Sequence, residues 1–213
     1  MNKDTKIATR QSFGEALKDL GEKNESIVVL DADLSGATKT NIFAKAFPER
    51  FFDMGIAEQN MCSVAAALGI ENKKPYLYSI GNFDTLRCLE QIRNNILYHN
   101  SNTKIISVGS GFGYGPMGVT HHATEDLGIM RCLPGLTIFT PSDPEEARQI
   151  AHITTINAIT SCTFKFLCVF IAYQIPPKAF FHESIKFLFF SLSSSISNLF
   201  LPSSIIFSLS SLF

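Results

Sequence analysis

Four segments of the chain, IVVLDAD (27–33), PYLYSI (75–80), KIISVGS (104–110) and LTIFTPS (136–142), contain continuous apolar runs rich in β-branched or aromatic residues. Strands buried on both faces read this way, whereas strands wetted on one face alternate. FFDMG (51–55) is a shorter run of the same kind. Between the runs, residues 10–21, 39–47, 58–70, 84–99, 121–132 and 143–152 carry helical spacing. Such alternation predicts an α/β fold, a mostly parallel sheet with helices on both faces. Ser142, Asp143, Pro144 and Glu145 sign the start of the last helix with a cap, an early proline and an acidic first turn.

The pattern stops near residue 155. All 13 glycines precede residue 137, and after Lys186 no charged side chain occurs. We therefore expect one domain over 1–155 and a low-complexity Phe/Ser-rich tail, not a domain, over 156–213. A closing strand is not legible in the tail, and a sheet lacking one has an unpaired edge. Three readings stay open: a frame change, retained intron or premature end; a membrane segment; and a peripheral tail packed on a partner. The uncharged stretch 187–213 is long enough to span a bilayer, but its ten serines and Pro202 are costly in hydrocarbon.

A formal net charge of −1 gives no electrostatic reason to expect nucleic acid or an anionic membrane as partner. The five cysteines form neither a CxxC pair nor a Cys/His cluster with metal-ligand spacing. Scattered thiols of this kind fit a reducing, cytoplasmic setting, and the N-terminal residues show no secretory signal. Membrane association through the tail is the alternative localisation.

In an open parallel sheet, ligands bind beyond the carboxyl ends of the strands. Asp31 and Asp33 close IVVLDAD, Glu58 follows FFDMG and Phe83 follows PYLYSI. GSGFGYGPMG (109–118), with His121 and His122 after it, follows the apolar part of KIISVGS. The glycine stretch lacks the lysine and threonine of a P-loop and reads as a flexible active-site loop. DMGIAEQNMCSVAAALG (53–69) puts a carboxylate in the first turn of a helix with small residues. Such a carboxylate either stabilises its own helix or is held as an anion facing the crevice.

LDADLSGATKT, FPERFFDMGIAEQNM, CLEQIRNNI and THHATEDLGIMRCLPGLTIFTPSDPEEA follow one another as in the C-terminal subunits of split transketolases. Residues 5 to about 152 resemble the pyrimidine-binding domain of this family, to which deoxyxylulose-phosphate synthase is related. The resemblance implies thiamine diphosphate as cofactor, with Glu58 against its aminopyrimidine ring. A carboxylate on the ring nitrogen favours the imino tautomer, which removes the thiazolium C2 proton. It implies a stacking role for Phe83, for which the alternative is a core phenylalanine. His121 would hydrogen-bond the substrate oxygen that becomes charged during attack. Asp33 would lie near the thiazolium ring at the subunit interface, or cap its own turn. Arg87 joins the cofactor-binding set and shares a predicted helical face with Gln91, towards a partner subunit; Arg93 is as readily solvated.

Several positions depart from the family pattern. Ile80 replaces an aromatic, His122 replaces a glutamine, Gly109 replaces a histidine, and Pro116 and Met117 replace an acidic pair. The last three losses move the expected substrate away from ordinary pentose phosphates. The family binds the diphosphate through Mg²⁺ with a GDG motif, and none occurs here. The ion's ligands are thus expected on an N-terminal, diphosphate-binding subunit, with self-association in the full complex. The expected function is the pyrimidine-binding part of an enzyme moving a two-carbon ketol unit between sugars or sugar phosphates, inactive alone. The alternative is a catalytically silent truncated fragment.

Overall fold

The computed structural model describes residues 7–156 and the backbone of 166–171. The membrane and tail expectations for 187–213 lie outside the described residues. In chain order the elements are helix α1 (Thr9–Gly21), strand β1 (Ile27–Asp31), helices α2 (Ser35–Thr38) and α3 (Asn41–Ala46), and strand β2 (Phe51–Asp53). Helix α4 (Glu58–Ile70), strand β3 (Lys74–Ile80) and the short helices α5 (Gly81–Asp84) and α6 (Leu89–Gln91) follow. A π-helical stretch, Ile92–Leu97, leads to strand β4 (Lys104–Val108). Helix α7 (Asp126–Met130), strand β5 (Leu136–Phe139), helix α8 (Pro144–Ile156) and strand β6 (Phe166–Ile171) complete the set.

All six strands run parallel in the order β2-β1-β3-β4-β6-β5. The sequence predicts this α/β arrangement, and the reason is visible in β1. Ile27 and Val29 enter a core with Phe13, Leu17, Tyr76, Tyr78 and Ala151, on the side covered by α1 and α8. Val28 and Leu30 enter a second core with Met61, Cys62, Leu77 and Ile92, on the side covered by α4 and the π-helical stretch. A strand with a core on each face has no wet side, hence no alternation in its sequence.

Two features differ from expectation. A closing strand was not legible in the tail, yet Phe166–Ile171 pairs in parallel with β4 on one side and β5 on the other. The sheet thus runs past the boundary expected at residue 155, and β5 is joined to it only through β6. The run FLCVFI is short, apolar and continuous, as a central strand requires, but it stands in a stretch of similar Phe-rich composition that hides its ends.

The helix expected over 84–99 is instead divided. Residues 85–88 form a turn between α5 and α6, and the helix resumes with π geometry. Here side chains compete for backbone carbonyls. Thr85 Oγ1 donates to the carbonyl of Gly81, and Cys88 Sγ donates to that of Phe83. At α8 the signed start holds, since Asp143 Oδ1 caps the N–H of Glu146 at 2.8 Å.

Candidate functional site

Glu58 is the first residue of α4 and heads its buried face, followed by Met61, Cys62, Ala65, Ala66 and Gly69. This spacing of three and four is one helical stripe. A β-carbon at Gly69 would collide with Ser101 Oγ, so a glycine lets α4 approach the segment before β4. The Glu58 carboxylate is only 3% exposed, and its Oε2 accepts a hydrogen bond from Arg87 Nη1 at 2.8 Å. Its other oxygen makes no hydrogen bond among the described residues.

Arg87 stands in the turn after α5, not on a helical face with Gln91, because the predicted helix is interrupted there. Gln59 Nε2 donates to its carbonyl at 3.1 Å. Its guanidinium carbon lies 4.4 Å from the centre of the Phe83 ring, within cation–π range. The Phe83 ring in turn meets His121 edge-on, with centres 5.1 Å apart. Asn82 Nδ2 fastens this turn to the loop by donating to the carbonyl of Thr120 at 2.7 Å. Glu58, Arg87, Phe83 and His121, from three separate segments, therefore form one connected line of contacts. Ile80 is buried at the end of β3.

Asp33 is not brought into this line. It is exposed, has a positive φ of 59° and makes no hydrogen bond among the described residues. The capping that its position suggested is performed by Asp31, two residues earlier. Asp31 Oδ1 accepts the N–H of Leu34 at 2.6 Å, and Oδ2 accepts from Thr38 Oγ1 at 2.8 Å and Thr40 Oγ1 at 2.7 Å. Burial pushes the Asp31 carboxyl above its usual range, and these three donors oppose the shift. Two aspartates two residues apart both read as strand-end acids; Asp31 is the buried last residue of β1, whereas Asp33 lies past the strand's end, where the chain turns through a positive φ.

The stretch after β4 is closed at its base by a pair of backbone hydrogen bonds between Gly111 and Ala123, at 2.9 and 3.0 Å. His122 Nε2 donates to the carbonyl of Gly115 at 3.2 Å, and its ring meets Phe112, so this residue braces the loop. Gly109 has φ +86°, and a β-carbon there would run into the Tyr114 ring. Tyr114 also lies beside His121, with ring centres 6.3 Å apart. The glycine at position 109 is thus what lets Tyr114 fold back against the loop. Sequence reasoning missed Tyr114; the signal is an aromatic flanked by glycines in GFGYGPMG. Pro116 and Met117 form a 3₁₀ turn at the loop's outer end, with Met117 exposed.

Among the described residues no group of three or more His, Cys, Asp or Glu side chains is arranged to hold a metal ion. No described helix is long and apolar enough to cross a membrane. The carboxylate with a free oxygen, the aromatic ring and the histidine are a donor and acceptor set that fits a flat, polar heteroaromatic ring.

A family model described as the transketolase pyrimidine-binding domain matches residues 5–162. The chain belongs to this family. A protein of Methanocaldococcus jannaschii named as a transketolase C-terminal section is 46% identical over 141 residues, which is 66% of this chain and 45% of that one. A protein of Phocaeicola vulgatus named as a subunit of apulose-4-phosphate transketolase is 34% identical over 147 residues, 69% of this chain and 47% of that one. The chain thus spans about half the length of these curated relatives. Among solved structures, one described as a split gene transketolase, inactive β4 tetramer, is similar with a TM-score of 0.69 and 42% identity. That similarity covers 82% of this chain and 54% of the other. The Campylobacter jejuni transketolase, at 24% identity and TM-score 0.69, shares the fold over 81% of this chain and 26% of its own. Membership in the transketolase family implies dependence on thiamine diphosphate in general terms.

Proposed function

We propose that this chain is the pyrimidine-binding part of a transketolase-like enzyme that transfers a two-carbon ketol unit between sugars, and that it acts only with a diphosphate-binding subunit. The observation that carries the reading is the contact line from Glu58 through Arg87 and Phe83 to His121. Thiamine diphosphate, when bound, supplies the electron sink for breaking a carbon–carbon bond next to a carbonyl. Mg²⁺ for its diphosphate would be ligated by the partner subunit.

The chain's own residues bind, orient and control protons. Glu58 Oε1 accepts a hydrogen bond from the pyrimidine ring nitrogen, while Arg87 holds Oε2 and fixes the carboxylate's direction. Phe83 stacks on the pyrimidine. One face of its ring already carries the Arg87 guanidinium, so stacking uses the other face or displaces Arg87. His121, edge-on to Phe83, donates a hydrogen bond to the substrate oxygen where charge develops. Asp33, exposed two residues beyond β1, serves the subunit interface near the thiazolium ring. Gly109, Pro116 and Met117 leave the loop without the histidine and acidic pair that grip pentose phosphates, so the preferred sugar lies outside that group.

Relatives named as a C-terminal section and as one subunit of a transketolase support a heteromeric assembly with an N-terminal subunit. A related chain described as an inactive β4 tetramer supports a second element, self-association without activity when the partner is missing. The test mixes the full chain with a transketolase N-terminal subunit, thiamine diphosphate and Mg²⁺ and measures ketol transfer from a panel of ketoses. Activity only in the mixture is expected. A mixture that forms a complex and stays inactive towards every donor would establish the silent-fragment alternative.

A further inference from the structure

Asp84 closes α5, directly after Phe83 and three residues before Arg87, and it is fully buried. Its Oδ1 accepts a hydrogen bond from Ser107 Oγ on β4 at 2.8 Å. Oδ2 has no partner among the described residues. Ser79 lies beside Ser107 in the register of β3 and β4, and its buried hydroxyl is likewise unpartnered. The ionisable groups on the elements packed around α5 are Glu58 and Cys62 on α4, Lys74, Tyr76 and Tyr78 on β3, Lys104 on β4, Cys88 beyond α5 and His121 in the loop. None of them pairs with Asp84, and the nearby cation, Arg87, pairs with Glu58.

An ionised carboxylate buried without a counter-charge is strongly disfavoured, whereas a carboxylic acid in the same place needs only hydrogen bonds. We propose that Asp84 is a positioning residue: uncharged and buried, it ties the turn carrying Phe83 and Arg87 to β4 through Ser107, and so sets where the pyrimidine stacks. Burial pushes its carboxyl well above the usual range, opposed in part by hydrogen bonding from Ser107 and from the backbone of Ser79 and Asp84. This role rests on the proposed function, but the charge state does not, and the two are tested separately.

The first arm needs no cofactor. Because the folded carboxyl is raised above its unfolded value, its stabilisation is complete below that value, near pH 4, and is lost as pH rises. Asp84→Asn has no proton to lose. The stability of Asp84→Asn relative to the wild-type chain is therefore expected to grow as pH rises above 4, and the infrared difference spectrum between them is expected to show the carbonyl band of a protonated acid at neutral pH. A relative stability that falls with rising pH, or a carboxylate band, overturns the uncharged state.

The second arm uses the complex with the N-terminal subunit. Asp84→Asn, which keeps the acceptor for Ser107, is expected to match the wild type within about twofold in cofactor affinity and turnover. Asp84→Ala is expected to weaken thiamine diphosphate binding about tenfold, with turnover at saturating cofactor changed less. Ser107→Ala, a milder change if Asp84→Ala does not fold, is expected to weaken binding about threefold. Wild-type affinity in both Asp84→Ala and Ser107→Ala overturns the positioning role, as does equal damage in Asp84→Asn and Asp84→Ala. An active Glu58→Gln variant in the same assay would instead overturn the proposed function while leaving the Asp84 result standing.

Discussion

Glu58 Oε2 and Arg87 Nη1 are 2.8 Å apart, joining the first residue of α4 to the turn that follows α5. One partner is 3% exposed and the other 43%, so the pair lies at the rim of the crevice. Its worth falls between that of a surface pair and a buried one. Arg87→Ala would leave a buried carboxylate without its cation and uncover a face of Phe83. We expect a loss of about 1–2 kcal/mol in urea unfolding. Arg87→Lys should recover part of the stability, since its compact ammonium reaches Glu58 but does not lie flat on the ring. Equal stability of Arg87→Ala and the wild type would show that the pair contributes nothing.

Gly109→His restores the residue type that pentose-phosphate transketolases carry, yet it should not restore their specificity. The backbone there has φ +86°, which side chains adopt only with strain, and the β-carbon would meet Tyr114. A destabilisation of about 2–3 kcal/mol is expected from strain and overlap together. Adding Tyr114→Ala should relieve the overlap and leave the strain. Denaturation midpoints of the single and double variants check this, and a single variant as stable as wild type contradicts it.

Lys104 begins β4 and is almost fully buried, with Nζ donating to the carbonyl and side-chain oxygens of Asn102 at 2.9 and 2.6 Å. Burial, reinforced by the charge of Lys74, lowers its pKa to about 7. A depressed lysine means that the unfolded chain binds the extra proton between pH 7 and 10.5, so stability rises with pH through that window. The full shift corresponds to at most roughly 4–5 kcal/mol. Lys104→Met should remove this slope and raise stability most near neutral pH. Thermal unfolding across the window measures it, and an unchanged slope in the variant would exclude Lys104 as its source.

The fold was legible because strands with a core on each face, such as β1 and β3, leave unbroken apolar runs in the sequence. What stayed hidden has local physical causes. The break at 85–88 depends on Thr85 and Cys88 turning to backbone carbonyls, which residue spacing does not record. The strand Phe166–Ile171 is apolar like its surroundings, so nothing in composition marks its ends. The motifs single out Glu58, Phe83 and His121 as candidates, and the structure brings these side chains into one line of contacts, but the motif did not place Arg87 against Glu58. Nor could it separate Asp31 from Asp33. Asp31 is the buried last residue of β1, and Asp33 lies just beyond the strand's end at a positive φ, which residue spacing does not record. Asp84 escaped because its partner Ser107 stands on a different element, and Tyr114 because its contacts with Gly109 and His121 depend on how the loop folds back.

In the proposed reaction, the free oxygen of Glu58 controls the proton balance of a bound pyrimidine. The most direct measurement is the exchange rate of the thiazolium C2 proton of thiamine diphosphate, followed by NMR in the complex with the N-terminal subunit. Glu58→Gln keeps the shape of the side chain and loses the carboxylate. The expected result is cofactor still bound, with exchange slowed by about 100-fold or more. Exchange at the wild-type rate with cofactor bound would contradict the account.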